Sequence, residues 1–178
     1  MKKPIFRLTT LDFSILGLLM QKPMTGYGIR MMFEKTALAS YSSSPGTIYP
    51  ALSRMKGLGM VEKKKQASSN QELFTITKRG ISLLTRWVTQ TVTRNDVIRN
   101  SEILLLRFAF MDILASKAEK RKFLNSFLDV VNQYIKELEA YHLAESSVMP
   151  ASGRQAFEHG LELNRATCRW IKNLLNNL

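Results

Sequence analysis

The sequence predicts a mostly α-helical protein with one small β-hairpin. Apolar residues recur at helical spacing over most of the 178 residues. Two short segments, 60–65 and 72–77, flank a small polar connection and are typical of the strands of a hairpin. The net charge of +12 is divided unevenly, because residues 1–94 carry +11 and residues 95–178 carry +1. This asymmetry indicates a part that binds a polyanion, joined to an ordinary helical part.

The first helix is predicted after Leu8, where leucine and isoleucine recur every three or four residues. Thr9 or Thr10 can cap its start, and Asp12 suits the positive end of its dipole. It ends before Pro23. Because this helix is apolar on most of its surface, we expect it at the centre of a core.

Two further helices complete a three-helix arrangement. Thr25 is the predicted cap of the second, over 26–36, while Ser44 caps the third and Pro45 begins it. The third helix ends near 57–59, where two glycines flank a leucine. The residues predicted to face the core are Ile29, Met32 and Phe33 in the second helix and Ile48, Leu52 and Met55 in the third.

The hairpin follows, with Val61 as the predicted inward residue of its first strand. Thr77 then caps a fourth helix that carries Leu84 and Trp87 on its apolar face. Three helices followed by a two-stranded hairpin make a winged helix-turn-helix, which we assign to residues 1–94.

Residues 95–178 are predicted to form a helical dimerisation domain. Segment 89–100 is either a bent helix or a polar linker, and a short helix covers 101–114. A capping box at 116–119 opens a long helix, and a loop at 146–153 separates it from a last helix capped at 152–155. The long helix carries a heptad seam, and the last one an apolar stripe. The residues assigned to dimerisation are Leu124, Leu128, Val131, Ile135 and Leu138 of the seam, with Trp170 and Leu174 of the stripe.

The seam has two interpretations. In the first, the seam packs against a second copy of the chain. The third helix of each copy would then lie on one DNA duplex, about 34 Å from the other. Alternatively, the two long helices pack on each other within one chain. We favour the dimer, because a single helical hairpin has little apolar surface to bury against.

The basic half carries the residues predicted to contact double-stranded DNA. The third helix of such a fold enters the major groove, where short hydroxyl side chains and a glycine allow close approach to base edges. Lysines on and after the wing neutralise phosphates and add affinity without sequence information. The predicted DNA-binding residues are Tyr27, Ser42, Ser43, Ser44, Gly46, Thr47, Tyr49, Lys63, Lys64, Lys65 and Lys78.

Three other functions compete with DNA binding. A basic face can serve solubility alone, and a winged helix can bind RNA or protein. An enzyme is poorly supported, since His142 and His159 have no Asp/Ser arrangement nearby. Cys168 stands on an apolar stripe and is predicted to be a buried structural thiol. With one Cys and two His, we expect no metal and no cofactor.

The sequence also favours a cytoplasmic protein. The apolar stretch 13–20 is only about 8 residues long and Arg7 and Asp12 interrupt its approach, which argues against a signal peptide. The later apolar run 103–115 is too short to span a bilayer and contains Arg107 and Asp112. The possible small-molecule effector is a separate hypothesis, because aromatic residues could line a pocket where the two halves meet. The aromatic residues considered are Trp87, Phe108, Phe110 and Trp170.

Several motifs of the basic half occur together in a fixed order. They are Leu11–Leu19, the Thr-Gly-Tyr-Gly-Ile at 25–29, the Pro-Gly-Thr-Ile-Tyr-Pro-Ala-Leu at 45–52, Arg54, the Gly-Leu-Gly-Met-Val at 57–61, and the Thr-Ile-Thr at 75–77 with Gly80. In these motifs the chain resembles the PadR family of bacterial transcriptional regulators. The resemblance is strong over 8–88 and looser in the C-terminal half.

The resemblance implies a homodimer that binds a palindromic operator, usually represses, and in some members is released by a small aromatic compound. It places Tyr27, Ser42–Ser44, Thr47 and Tyr49 at the DNA. The sequence departs from the family pattern in two places. Ser68–Glu72 stands where an Arg-rich stretch is usual, which shifts weight to Lys63–Lys65, and Lys56 stands where an acidic residue is common.

Overall fold

The chain folds into two compact units in a computed structural model that describes residues 8–35, 44–65 and 71–178. The N-terminal unit is Met1–Val88 and the C-terminal unit is Thr89–Leu178. The division lies six residues before the domain boundary placed after Arg94 from charge. The described residues are mostly helical with one antiparallel hairpin, as the sequence predicts.

The N-terminal unit has the element order of a winged helix-turn-helix. Its elements are α1 (Thr10–Gln21), α2 (Gly26–Lys35), α3 (Pro45–Gly57), β1 (Val61–Lys65), β2 (Glu72–Ile76) and α4 (Lys78–Val88). The predicted caps at Thr25 and Thr77 are confirmed, since each hydroxyl accepts from the backbone N–H three residues later. Ser44 is the N-cap residue of α3, although its side chain makes no capping hydrogen bond.

The core of this unit is built on α1, as its apolar surface predicts. Thr9 and Asp12 form a reciprocal capping box, and Ile15 and Leu16 are fully buried. The core residues predicted for α3 are confirmed, with Ile48, Leu52 and Met55 all buried. In α2, Ile29 and Phe33 are buried and Met32 is half-buried.

The hairpin contacts the rest of the unit through the middle of β2 and through its base. Val61 pairs with Ile76 and Lys65 with Glu72 in the antiparallel register. Phe74 exchanges backbone hydrogen bonds with Met24, which precedes α2. Gly80 allows α4 to approach the start of the wing, because a Cβ there would lie 2.3 Å from the carbonyl oxygen of Met60.

The C-terminal unit begins with three short helices, α5 (Arg94–Arg99), α6 (Ser101–Ala109) and α7 (Met111–Leu114). The linker alternative for 89–100 therefore holds in part, since residues 89–93 precede a short helix capped by Thr93 and Asp96. The single helix predicted over 101–114 is wrong. It is broken at Phe110, whose side chain is buried.

Two long helices complete this unit, α8 (Lys117–Glu145) and α9 (Ala151–Asn177). The capping box of Ser116 and Glu119 is confirmed. The predicted start of the last helix is wrong, because α9 begins at Ala151 after Pro150, and Gly153 lies within its first turn. Pro150 supplies the extended backbone that an N-cap requires, so no Ser side chain is needed there.

A buried arginine joins the short helices of the unit to α8. Arg107 of α6 is 3% exposed, donates to the backbone oxygen of Gln90, and stacks its guanidinium 4.8 Å from the ring of Phe123. Burial lowers the pKa of Arg107 to about 10, and Asp96 acts in the opposite direction. The guanidinium remains charged at neutral pH.

Candidate nucleic-acid interface

The first turn of α3 presents short polar groups. Gly46 is exposed and Thr47 is half-exposed. The Thr47 hydroxyl donates to the Ser44 backbone oxygen at 2.9 Å and lies 3.1 Å from the Ser44 hydroxyl. These contacts preorganise two hydroxyl groups where α3 begins. The other predicted residues of this turn, Ser42 and Ser43, lie outside the described residues.

Two tyrosines flank this surface. Tyr27 is 61% exposed and Tyr49 is 47% exposed, which is unusual for large aromatic side chains. The ring of Tyr49 lies against Gly26, where a Cβ would come within 2.6 Å of it. A glycine is therefore required at the start of α2 for the α3 tyrosine to occupy this position.

The wing lysines are not equivalent. Lys63 makes an ion pair with Glu72, and the Lys64 ammonium lies 2.7 Å from a carboxylate oxygen of Glu62. These contacts lower the pKa of both carboxyls, chiefly through the lysine hydrogen bonds. Lys65 is exposed at the end of β1 and has no ion pair among the described residues. The sequence predicts the three lysines as equivalent, although Lys63 meets Glu72 only across the hairpin and Lys64 pairs with Glu62 of its own strand.

Lys78 stands at the first position of α4 and is exposed, so its ammonium is accessible to a ligand. Within the part of the unit that the structure describes, α3, the wing and the start of α4 all present polar or cationic side chains to solvent. Which of these groups touch a ligand stays a prediction.

A buried ion pair holds α3 to α1, and the sequence did not predict it. Asp12 is fully buried, and its Oδ1 accepts a hydrogen bond from Arg54 in the last turn of α3. Its Oδ2 accepts from the backbone N–H and hydroxyl of Thr9, at 2.8 and 2.9 Å. The one available signal was an acidic residue inside a helix that is otherwise apolar.

The residues assigned to dimerisation divide into two groups. Leu124, Val131 and Ile135 are buried within the single chain, in which α8 packs on both α9 and α5. The others are half-buried, namely Leu128, Leu138, Trp170 and Leu174. Part of the seam therefore packs inside the chain, which is the alternative weighed against a dimer.

The aromatic residues considered for an effector pocket have partners within their own units. Trp87 stacks on Phe13, with ring centroids 4.5 Å apart. Trp170 makes an edge contact with Phe108 at 5.3 Å, and Phe110 is buried. An effector stays a prediction.

Cys168 is buried, as predicted for a structural thiol. Its Sγ lies 3.3 Å from the side-chain oxygen of Asn132, and burial raises the pKa of the thiol. Among the described residues, no group of three His, Cys, Asp or Glu side chains could hold a metal ion. Within the same ranges, no helix combines the length and the apolar character needed to cross a membrane.

Residues 15–86 match the transcriptional regulator PadR-like family. The N-terminal unit is a PadR-like domain. The match runs from α1 to α4 and includes α3 and the wing. The matched family is one of transcriptional regulators, not of enzymes. No curated protein matches the chain.

Solved structures of PadR-like proteins are similar to the chain at low identity. The PadR-like transcriptional regulator BC1756 from Bacillus cereus is 23% identical, over 95% of this chain and 97% of that chain, with a TM-score of 0.41. Bacillus subtilis PadR in complex with operator DNA is 20% identical, over 94% and 98%, with a TM-score of 0.44. The same protein in complex with p-coumaric acid is also 20% identical, over 94% of this chain and 98% of that chain, with a TM-score of 0.45.

Proposed function

We propose that the protein is a homodimeric regulator that binds an inverted-repeat operator through α3 and represses the adjacent gene. The observation that supports this most is the first turn of α3 inside the PadR-like domain, where Gly46 and the Ser44 and Thr47 hydroxyls are ordered at the surface. Short hydroxyl side chains at a helix start can reach base edges in the major groove. The proposed direction, repression, follows from the family resemblance.

The lysines supply affinity in this proposal. Lys64, Lys65 and Lys78 are exposed, so their ammonium groups can reach phosphates without a change of fold. Such contacts release counterions and do not depend on base sequence. Thr47 and the lysines should therefore respond differently to substitution.

A second copy of the chain would set the spacing of two α3 helices on one duplex. Of the residues assigned to dimerisation, the half-buried Leu128, Leu138, Trp170 and Leu174 remain available for it, because the other three are buried within the chain. Two-fold symmetry would match an inverted repeat with half-sites about 34 Å apart. A dimer peak in light scattering supports this arrangement, whereas a monomer at micromolar concentration overturns it.

Two features of the proposal lie outside the DNA contacts. A small aromatic effector would release the DNA, and it would raise the melting temperature of the protein if it binds the folded state. A panel of phenolic acids that leaves both the melting temperature and DNA binding unchanged argues against it.

We also place the protein in the cytoplasm, where a bacterial regulator meets its DNA.

The experiment that tests DNA binding is selection of bound sequences from sheared genomic DNA, followed by titration of the selected duplex. We expect an inverted repeat. Lys64→Ala should weaken binding to all duplexes alike, while Thr47→Ala should alter the preferred sequence. A preference for structured RNA over every duplex would overturn the proposal and favour an RNA-binding adaptor.

A further inference from the structure

One carboxylate stands among the lysines of the wing. In the antiparallel register Lys65 is opposite Glu72 and Lys63 is opposite Phe74. Since side chains alternate along a strand, Lys63, Lys65 and Glu72 share one face of the hairpin. The Lys63 ammonium donates to Oε2 of Glu72 and also lies 5.7 Å from the centroid of the Phe74 ring.

The surroundings of Glu72 are cationic on more than one side. The Lys63 hydrogen bond is the main cause that lowers the pKa of Glu72, and the charges of Lys65 and of Lys56 on α3 act in the same direction. A single anionic group is therefore held by lysines from two elements of the unit.

This ion pair borders an open groove at the surface. The groove has a volume of about 430 Å³ and lies between the start of α2, α3 and the wing. The residues that line it include Thr25, Gly26, Tyr27, Tyr49, Lys63 and Glu72. Two exposed phenol groups and one ammonium thus face the same space, and these are groups that bind phosphate oxygens in nucleic-acid complexes.

We propose that the Glu72 carboxylate occupies the position of a DNA backbone phosphate in this groove, so that DNA must displace it from Lys63 to bind. The inference rests on the proposed DNA-binding function and deepens it. Glu72 is then an acidic competitor that limits affinity for any duplex, whatever its sequence. The other acidic residue of the wing, Glu62, pairs with Lys64 on the opposite face, away from this groove.

The test is Glu72→Gln, which keeps the size of the side chain and removes its charge. Glu72 is exposed, so we expect an unchanged melting temperature. Release of Lys63 to one phosphate adds one counterion to those that binding displaces. A dimer on two half-sites releases two such lysines, so the log–log salt slope should steepen by about 1.8, and affinity in 0.1 M salt should rise about ten- to sixtyfold.

The titration uses a 30-base-pair duplex of mixed sequence and the selected operator, at four salt concentrations. The gain should be the same on both, since a phosphate contact carries no base information. In a Lys63→Met background Glu72→Gln should change affinity less than about twofold, because the lysine that it releases is gone. A gain that persists in that background overturns the role of Lys63.

Glu34→Gln is the matched control. Glu34 is an exposed residue of α2 that pairs with Arg30 at 2.7 Å, so its substitution removes the same charge from the same unit and also breaks an ion pair. An equal gain for Glu34→Gln and Glu72→Gln would mean that the effect is not specific to the Glu72–Lys63 pair, which overturns the inference. Unchanged or weaker binding by Glu72→Gln overturns it while leaving DNA binding intact. Failure of both the wild-type chain and Glu72→Gln to bind either duplex overturns the proposed function itself.

Discussion

Replacement of Asp12 by alanine should destabilise the protein more than its single charge suggests. The carboxylate is fully buried and receives hydrogen bonds from Arg54 and from both the backbone and hydroxyl of Thr9. It therefore joins the last turn of α3 to the start of α1 and completes the capping box at the same time. Alanine removes all of these interactions together.

The expected loss of free energy of unfolding is the sum of two contributions, one from the capping box and one from the ion pair. Loss of the capping box costs about 1 kcal/mol. Breaking a buried ion pair costs about 3–5 kcal/mol. The Arg54 side chain is 32% exposed, so water can solvate its charge after Asp12 is removed, and we expect about 2 kcal/mol instead. The total is about 3 kcal/mol. For a chain of this length it corresponds to a fall in melting temperature of about 6–12 °C.

The assay is thermal and urea unfolding followed by circular dichroism, with Asp112→Ala as the matched control. Asp112 also stands in the first turn of a helix and pairs with a lysine, but its side chain is 83% exposed. The control should lose no more than about 1 kcal/mol. If Asp12→Ala loses as little as Asp112→Ala does, the buried pair does not hold α3 to α1 and the reasoning is refuted.

Three further changes test the packing. Gly80→Ala should lower the free energy of unfolding by about 1–3 kcal/mol, because the new Cβ would clash with the Met60 carbonyl oxygen. That oxygen also accepts a hydrogen bond from the backbone N–H of Thr77. An unchanged urea midpoint would show that the wing moves to relieve the clash. Gly160→Ala should instead stabilise by about 0.5–1 kcal/mol, since Gly160 lies inside α9 with open space around it, and a lower midpoint would contradict this. Cys168 should react with a thiol reagent far more slowly in the native protein than in urea, because the thiol is buried and its pKa is raised; equal rates would place it at the surface.

Elements with local signals could be predicted from the sequence. The capping box at Ser116 combines a hydroxyl with an acidic residue three positions later and is confirmed. For the first helix the sequence predicts a cap at Thr9 or Thr10, and the structure shows Thr9 in a reciprocal box with Asp12. The core face of α3 follows from its periodicity. The box at Thr93 was not recognised, because its Thr and Asp stand in a segment where polar residues are common throughout.

Features that depend on tertiary contacts could not be predicted. The break at Phe110 involves neither glycine nor proline, and it allows Phe110 and Met111 both to be buried. The early start of α9 includes Gly153, whose intrinsic cost the packing of a 27-residue helix on α8 can offset. The Asp12–Arg54 pair joins residues 42 positions apart, which no periodicity reveals.

The candidate interface also has features that the sequence predicts and features that depend on tertiary contacts. Residue types and the basic charge of the first part predicted which surface would bind DNA, and the exposed Tyr27 and Tyr49 are compatible with it. The charge that each wing lysine offers to a ligand depends on its acidic partner. Glu62 stands two residues before Lys64 on β1, whereas Glu72 lies beside Lys63 only after the hairpin pairs. Charge counted along the chain therefore overstates what Lys63 and Lys64 offer to a ligand.

The most direct test of the central claim is the affinity of the purified chain for its selected duplex, measured by fluorescence anisotropy between 50 and 200 mM salt. If α3 and the lysines bind the phosphates of two half-sites, we expect at least about six phosphate contacts. The affinity should then fall by about a thousandfold over this range of salt concentration. A mutated inverted repeat should bind more weakly at every salt concentration. Affinity that does not change with salt, or that is the same for the mutated repeat, would contradict the account.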